Sequence, residues 1–295
     1  MIAFRFRALV VALAYLALLG GASAQTSTDY SVGPQYDSTH VYVEPGDFAR
    51  FVASFIATFG GTASKQGVFQ VTPTPSQTLS QIVATPVGIV SVFGFRTPVP
   101  YPFGEERTGY LVSDIDAAVG AAVNSGAMRL VDTFPDPIGR DALIQWPGGV
   151  NMQLYWHTVK PNYPPLATVP ENRVYLTADA ADAFLSRWLA FSRGKIVSDD
   201  AKAPGVEVGR PGDTIRRIRI SSGFGALVVF VSDGKLPWPY GRDLTGYEVG
   251  NLEATLARAK AAGVEILVPS YAVDGRRAVI VRFPGGYIAE IHAPT

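Results

Sequence analysis

Near its C-terminal end the chain carries Glu290 and His292, two residues apart in "FPGGYIAEIHAPT" (283–295). On a β-strand that spacing puts both side chains on one face. A carboxylate beside an imidazole can ligate a divalent ion or move a proton. Upstream, "WPGGVNMQLYWHT" (146–158) has the same shape, with Gln153 where Glu290 stands. The chain has only three His (His40, His157 and His292) and no Cys, so thiolate catalysis, disulfides, Cys-ligated zinc and iron–sulfur clusters are excluded. Glu290 without a metal has two further uses. It can be a general base whose pKa is raised by an apolar cavity, or an ion-pair partner whose pKa is held down and which is chemically inert.

The elements that position these residues come from a duplication. "PYPFGEERTGY" (100–110) recurs as "PWPYGRDLTGY" (237–247), an offset of 137 that holds without a gap from Pro100 to Gln153 and from Pro237 to Glu290. Further upstream, "HVYVEPGDFARFVASFIATFGG" (40–61) pairs with "RVYLTADAADAFLSRWLAFSRG" (173–194) at a slightly shorter offset. The Pro-rich stretch 159–171 reads as the linker between copies.

Each copy holds two units of similar plan. In the first, His40–Val43 alternates like a short strand. A helix then runs from about Asp47, with Phe48, Phe51, Val52, Phe55 and Phe59 at helical spacing and Gly60-Gly61 as its stop. β-rich sequence follows, closing with 88–95. The second unit has a strand at Thr108–Val112 and a helix capped by Ser113 or Asp114 and stopped by Gly126. Strands near 128–133 and 141–146 and a Pro-Gly-Gly hairpin into "NMQLYW" complete it. The plan is β-α-β-β-β, four times, an α+β architecture. The loops "P-[YW]-P-[FY]-G" carry Tyr101, Phe103, Trp238 and Tyr240, which either close a cavity mouth or pack beneath the sheet.

The first residues stand apart. Arg5 and Arg7, an apolar run from Ala8 to Leu19 and Ala22-Ser23-Ala24 form a secretory signal peptide (1–24) that is too short to span a bilayer. The expected mature chain begins at Gln25 and is periplasmic or secreted, with no later membrane segment. With 25 Lys and Arg against 25 Asp and Glu in the whole chain, losing Arg5 and Arg7 leaves a net charge of about −2. That is not the basic footprint of a nucleic-acid binder. No Gly-rich phosphate loop or nucleophile elbow is present.

The strand, the helix led by "VSDIDAAV", the glycine stop and the terminal "PGG-x3-[EQ]-[IL]" hairpin strand resemble the vicinal oxygen chelate superfamily, which includes glyoxalase I, extradiol dioxygenases and fosfomycin- and bleomycin-resistance proteins. The resemblance covers two domains, 37–158 and 172–295, after an N-terminal segment 25–36. It implies cupped mixed sheets built from paired units, with ligands drawn from first and last strands. Those positions fall on His40, Arg107, Arg173 and Leu244 (first strands) and on Ser91, Gln153, Val228 and Glu290 (last strands). If the outer and inner units pair, His40 joins Glu290, with His292 as auxiliary, as a site for Fe, Mn, Ni or Zn. Arg107 and Arg173 then join Gln153 as donors to an anionic group. If cavities form within each copy, Arg173 becomes the ion-pair partner of Glu290. Tyr42 and Tyr175, two residues after His40 and Arg173, share their strand faces and line the cavities or the core. The resemblance implies a glyoxalase-like metal-dependent lyase or isomerase, or a dioxygenase, acting on a small oxygenated organic molecule. Its alternative is a metal-free protein that binds or sequesters a small molecule, as the bleomycin-resistance proteins do.

Overall fold

The computed structural model describes residues 29–34, 36, 39–241 and 244–295. The expected signal peptide and its cleavage point before Gln25 lie outside the described residues. Unit one is β1 (Thr39–Tyr42), α1 (Phe48–Phe59), the short strands β2 (Thr62–Ala63) and β3 (Gly67–Phe69), and the hairpin β4 (Thr78–Thr85) and β5 (Gly88–Phe95). Unit two is β6 (Gly109–Leu111), α2 (Ile115–Asn124), β7 (Met128–Asp136), β8 (Gly139–Trp146) and β9 (Val150–His157). Unit three is β10 (Glu171–Thr177), α3 (Ala178–Ser192), β11 (Lys195–Pro204), β12 (Thr214–Ser222) and β13 (Gly225–Ser232). Unit four is β14 (Thr245–Glu248), α4 (Leu252–Ala261), β15 (Glu265–Val273), β16 (Arg276–Arg282) and β17 (Ile288–Pro294).

Equivalent residues do equivalent work in units two and four. Asp114 caps α2 by accepting from Ala117 N at 3.0 Å, and Asn251 caps α4 by accepting from Ala254 N at 2.9 Å. Past each helix a glycine takes the left-handed conformation, Gly126 at φ +99 and Gly263 at φ +82, which ends the helix at little steric cost.

Units three and four form one sheet in the order β11-β12-β13-β10-β14-β17-β16-β15. Units one and two follow the same order as two sheets, β2-β4-β5-β1 and β6-β9-β8-β7. They meet where His40 N donates to Arg107 O at 3.1 Å. Each copy is thus a cup closed within itself.

Alternation along the strands separates two faces. Val41, Val90, Val92, Ile291 and Ala293 pack under helices, while His40, Ser91, Phe93, Glu290 and His292 face the cups. The helix faces do not follow the cups. α1 packs on α4, and one core joins Phe51 and Phe55 of unit one to Tyr247, Val279 and Ile291 of unit four. A second joins Ile115 and Trp146 of unit two to Phe184 and Trp188 of unit three. The outer-with-outer, inner-with-inner pairing therefore exists, but in the apolar cores and not in the cavities. The expectation that units one and four share a cavity is corrected accordingly. Thr39 and Asn172, equivalent residues on β1 and β10, meet between the copies, with Thr39 Oγ1 donating to Asn172 Oδ1 at 3.3 Å.

Candidate functional site

Strand register settles which residues share each cup. His40 stands opposite Ser91, Gly109 opposite Gln153, Arg173 opposite Val228 and Gly246 opposite Glu290. The first-strand positions assigned to Arg107 and Leu244 thus move two residues along, to glycines. Both glycines are needed. A Cβ on Gly109 would lie 2.0 Å from His40 Nε2, and one on Gly246 would lie 2.9 Å from Arg173 Nη2. In each cup, a long side chain from the first strand lies across a bare stretch of the second unit's first strand. The floor of the first cup reads His40, Ser91, Gly109 and Gln153, and that of the second reads Arg173, Val228, Gly246 and Glu290. His40 is therefore apart from Glu290 and His292, and these three do not form one site. Arg107 and Arg173 likewise lie in different cups. The physical reason is backbone pairing, β1 beside β6 and β10 beside β14, within each copy.

The second cup is filled with paired charge. Arg173 Nη2 lies 2.6 Å from Glu290 Oε1 and 3.2 Å from Glu171 Oε2, and its side chain is fully buried. Glu290 also meets His292 Nδ1 at 2.8 Å and accepts from the Tyr271 hydroxyl at 2.9 Å. Arg219 and Arg276 donate to Glu171, and Arg217 and Arg276 donate to Glu207. Burial alone would raise the Glu171 carboxyl, but Arg173, Arg276 and Arg219 outweigh it and hold its pKa at about 2. Burial of Glu290 is likewise outweighed, first by Arg173 and then by the His292 hydrogen bond, and its pKa falls far below the carboxylate range. Arg173 is shifted the opposite way, well above its ordinary value, because Glu290 and Glu171 more than offset the cost of burying it.

Glu171, Glu290 and His292 each offer a ligand atom within 4.8 Å of the others, a grouping that could hold a divalent ion. Its donors, however, are spoken for. Both Glu290 oxygens and both Glu171 oxygens already accept from charged or hydroxyl partners. An ion here would strand the buried Arg173 cation. The donor set does not fit a resident metal, because the guanidinium holds its place.

The first cup keeps an open cavity of about 100 Å³. Its walls are aromatic, chiefly Tyr42, Phe93, Phe95, Phe103 and Tyr155, over a floor of His40, Ser91 and Gln153. Where Ser80, Ile82 and Gly139 stand in this copy, the second copy has Arg217, Arg219 and Arg276, whose pairs with Glu171 and Glu207 occupy the floor of its cup. Behind the wall sits Glu106, fully buried, which accepts from the Tyr42 hydroxyl. Burial and then the Glu106 carboxylate push the Tyr42 hydroxyl well above its ordinary pKa, so it stays a donor. His40 Nδ1 lies 3.7 Å from Glu106 Oε1, and its Nε2 lies over Gly109 on the cup face. Neither His40 Nδ1 nor Glu106 Oε2 has a hydrogen-bond partner among the described residues. The Arg107 guanidinium covers the Tyr42 ring, 5.2 Å from its centre. Tyr175 lies in the second cup, stacked on Phe230 as Tyr42 packs on Phe93. Phe103 and Tyr240 from the aromatic loops are buried, while Tyr101 and Trp238 face solvent.

Glu106 was not among the residues singled out from sequence. Its signal was there: the repeat has an acid at this sequence position in both copies, Glu106 and Asp243.

No family model and no curated protein matches the sequence. Solved structures do resemble it. A triple mutant of 4-hydroxymandelate synthase from Streptomyces coelicolor aligns at 12% identity with a TM-score of 0.59, covering 89% of this chain and 93% of that one. A xylose isomerase-like TIM barrel/4-hydroxyphenylpyruvate dioxygenase fusion protein aligns at 14% identity and TM-score 0.53, over 90% of this chain and 49% of that one. The Mn(II)-bound glyoxalase from Novosphingobium aromaticivorans aligns at 12% identity and TM-score 0.52, over 88% and 82%. The fold is that of the vicinal oxygen chelate proteins, as tandem cupped sheets of βαβββ units. The likeness is one of fold.

Proposed function

We propose that the protein acts on a small oxygenated organic molecule in the first cup, by glyoxalase-like proton transfer with His40 as the base. The observation that carries this reading is a buried imidazole with a carboxylate behind it and an open aromatic cavity in front. A proton on Nδ1, directed at Glu106, leaves Nε2 as the acceptor. Nε2 takes the proton from a carbon beside a carbonyl, and Glu106 stabilises the imidazolium that results, as a carboxylate does in any His–carboxylate pair. Gln153 and Ser91 supply neutral donors for the substrate oxygen. The hydroxyl proton of the resulting enediolate passes to the former carbonyl oxygen, and return of the carbon-bound proton from Nε2 to the former carbonyl carbon completes an isomerisation with no net oxidation. The 3.7 Å separation of Nδ1 and Glu106 is long for a hydrogen bond, and such contacts commonly tighten when substrate binds.

A dioxygenase would need iron held by three converging ligands. The first cup's floor offers His40 and Gln153, and the second cup's carboxylates are held by arginines, so the isomerase form of the reading is better supported. The test is solvent-deuterium exchange into hydroxyacetone and related small α-hydroxy ketones, followed by NMR. Wild type is expected to exchange the carbon-bound proton faster than buffer. His40→Ala should lose about 10²-fold or more, and Glu290→Gln should retain activity. No exchange by wild type across the panel would overturn the reading. The signal-peptide pattern further supports an exported mature protein starting at Gln25. Intact-mass analysis checks this, and a mature chain starting at Met1 would contradict it.

A further inference from the structure

The second copy keeps a recess of its own, apart from the ion-pair floor. Ser232 ends β13 where Phe95 ends β5 in the first copy. Phe95 stacks on Tyr42 with ring centres 6.2 Å apart, and Ser232 gives Tyr175, the counterpart of Tyr42, no such cover. The space left is an open recess of about 330 Å³, lined chiefly by Tyr175, Thr177, Ser232, Leu236 and Tyr240. None of the described residues lining it carries a charge. Tyr175 and Thr177 share a strand face, and Thr177 stands opposite Ser232 in register. Three hydroxyls thus come from adjacent positions on two paired strands.

Tyr175 stacks on Phe230, and the Arg173 guanidinium lies over the same ring, 5.5 Å from its centre. Arg173 meets both Glu290 and Glu171 through Nη2. Its side chain is fully buried, yet Nε and Nη1 have no acceptor among the described residues, and the Tyr175 hydroxyl has no hydrogen-bond partner there either. The floor has no acceptor to spare, because every carboxylate oxygen of Glu171, Glu207 and Glu290 already accepts. Buried donors left unmatched are costly, and a ligand oxygen can satisfy them. Burial pushes the Tyr175 hydroxyl well above its ordinary pKa, and the Arg173 charge opposes that rise by more than Glu290 adds to it. Tyr240 is pushed up to about 12 by burial and then Glu290, with Arg173 the weaker influence. Negative charge is therefore favoured beside Tyr175 and not beside Tyr240. We propose that this recess is a second binding site, for a small organic carboxylate. The Tyr175 hydroxyl donates to the carboxylate on the side of Arg173, and the apolar body of the ligand lies against Leu236 and Tyr240. The proposal does not depend on the reading of the first cup.

The test uses three probes of similar shape: isobutyrate, its neutral counterpart isobutyramide and the isobutylammonium cation. Each is titrated into the mature full-length chain by calorimetry at neutral pH. Isobutyrate is expected to bind on the order of tenfold more tightly than the amide, with the cation weakest. Tyr175→Phe removes a hydroxyl that has no partner among the described residues, so the fold should hold while most of that preference is lost. Should that variant fail to fold, Leu236→Trp serves, since it fills the recess from its wall and should abolish binding. His40→Ala should bind isobutyrate as wild type does, which places the site outside the first cup. Equal or tighter binding of the amide or the cation, or no binding of any probe, overturns the proposal. So does an isobutyrate preference that survives Tyr175→Phe or Leu236→Trp, or one that is lost in His40→Ala.

Discussion

The two cups are built from equivalent strands, yet one is a cavity and the other a block of ion pairs. His40 and Arg173 occupy the same place, each lying across a glycine, Gly109 or Gly246, beside the last-strand residue Gln153 or Glu290. In the first cup that exchange leaves a neutral amide next to an imidazole, and the space above stays open. In the second, a permanent cation meets a carboxylate, and Glu171, Glu207, Arg217, Arg219 and Arg276 complete an ion-pair network across the floor. Duplication thus separates two demands that conflict in a single cup. An aromatic cavity over neutral floor residues is kept in one copy, and the floor of the other is given to charges that must all stay paired. Burying such charges gains little over apolar packing, but removing one member is costly because the rest remain buried.

The contrast can be broken most forcefully at Arg173. Arg173→Met takes from buried Glu290 its guanidinium partner, and from Glu171 one of three, and should lower the free energy of unfolding by about 3–5 kcal/mol, read by denaturant titration, while exchange in the first cup persists as long as the protein is folded. Acid is the next lever. Glu171, with an ordinary value of 4.5 and a folded value of about 2, and Glu290, displaced in the same direction, are both depressed by folding. Their contribution is therefore fully present above pH ~4.5 and is lost as pH falls toward 2 and below. It should amount to a few kcal/mol, since each tenfold change in proton affinity is worth about 1.4 kcal/mol. Unfolding measured at pH 7, 4 and 2.5 should show stability level above about pH 5 and falling steeply below it, with a shallower fall in Arg173→Met.

Smaller effects should appear in the first cup. Gly109→Ala drives a methyl into the His40 ring and should cost about 1–3 kcal/mol, while exchange falls to background because Nε2 is displaced. His40→Ala should change stability least, by about 1 kcal/mol or less, and still abolish exchange. A large loss of stability in His40→Ala, equal to that of Arg173→Met, would erase the contrast between the cups.

Much of the scaffold was readable from the chain. The helical spacing of Phe48, Phe51, Phe55 and Phe59 fits α1 (Phe48–Phe59), and the hairpin strand at 88–95 is β5 (Gly88–Phe95). Unit pairing was not readable, for a physical reason. An apolar stripe such as that of α1 states that it must be covered, not by which neighbour, and here cores and cavities chose different neighbours. The two-residue error at Arg107 and Leu244 has a related origin. Strand alternation repeats every two residues, so a shift of two keeps every side chain on its face and leaves no pattern to detect it. Glu106 sits in a loop, where no periodicity points to it. The Arg173–Glu290 pair was legible only as one of two alternatives, because either residue type suits either role until the backbone brings the strands together.

The division of labour between the cups stands or falls on whether Arg173 and Glu290 act as a structural pair. The most direct measurement is a double-mutant cycle of Arg173→Met and Glu290→Gln, read by denaturant unfolding at pH 7. The expected result is a coupling energy of at least about 2 kcal/mol, with Glu290→Gln alone clearly destabilised. A coupling below about 0.5 kcal/mol, with Glu290→Gln as stable as wild type but devoid of exchange activity, would contradict it and move the working site to the second cup.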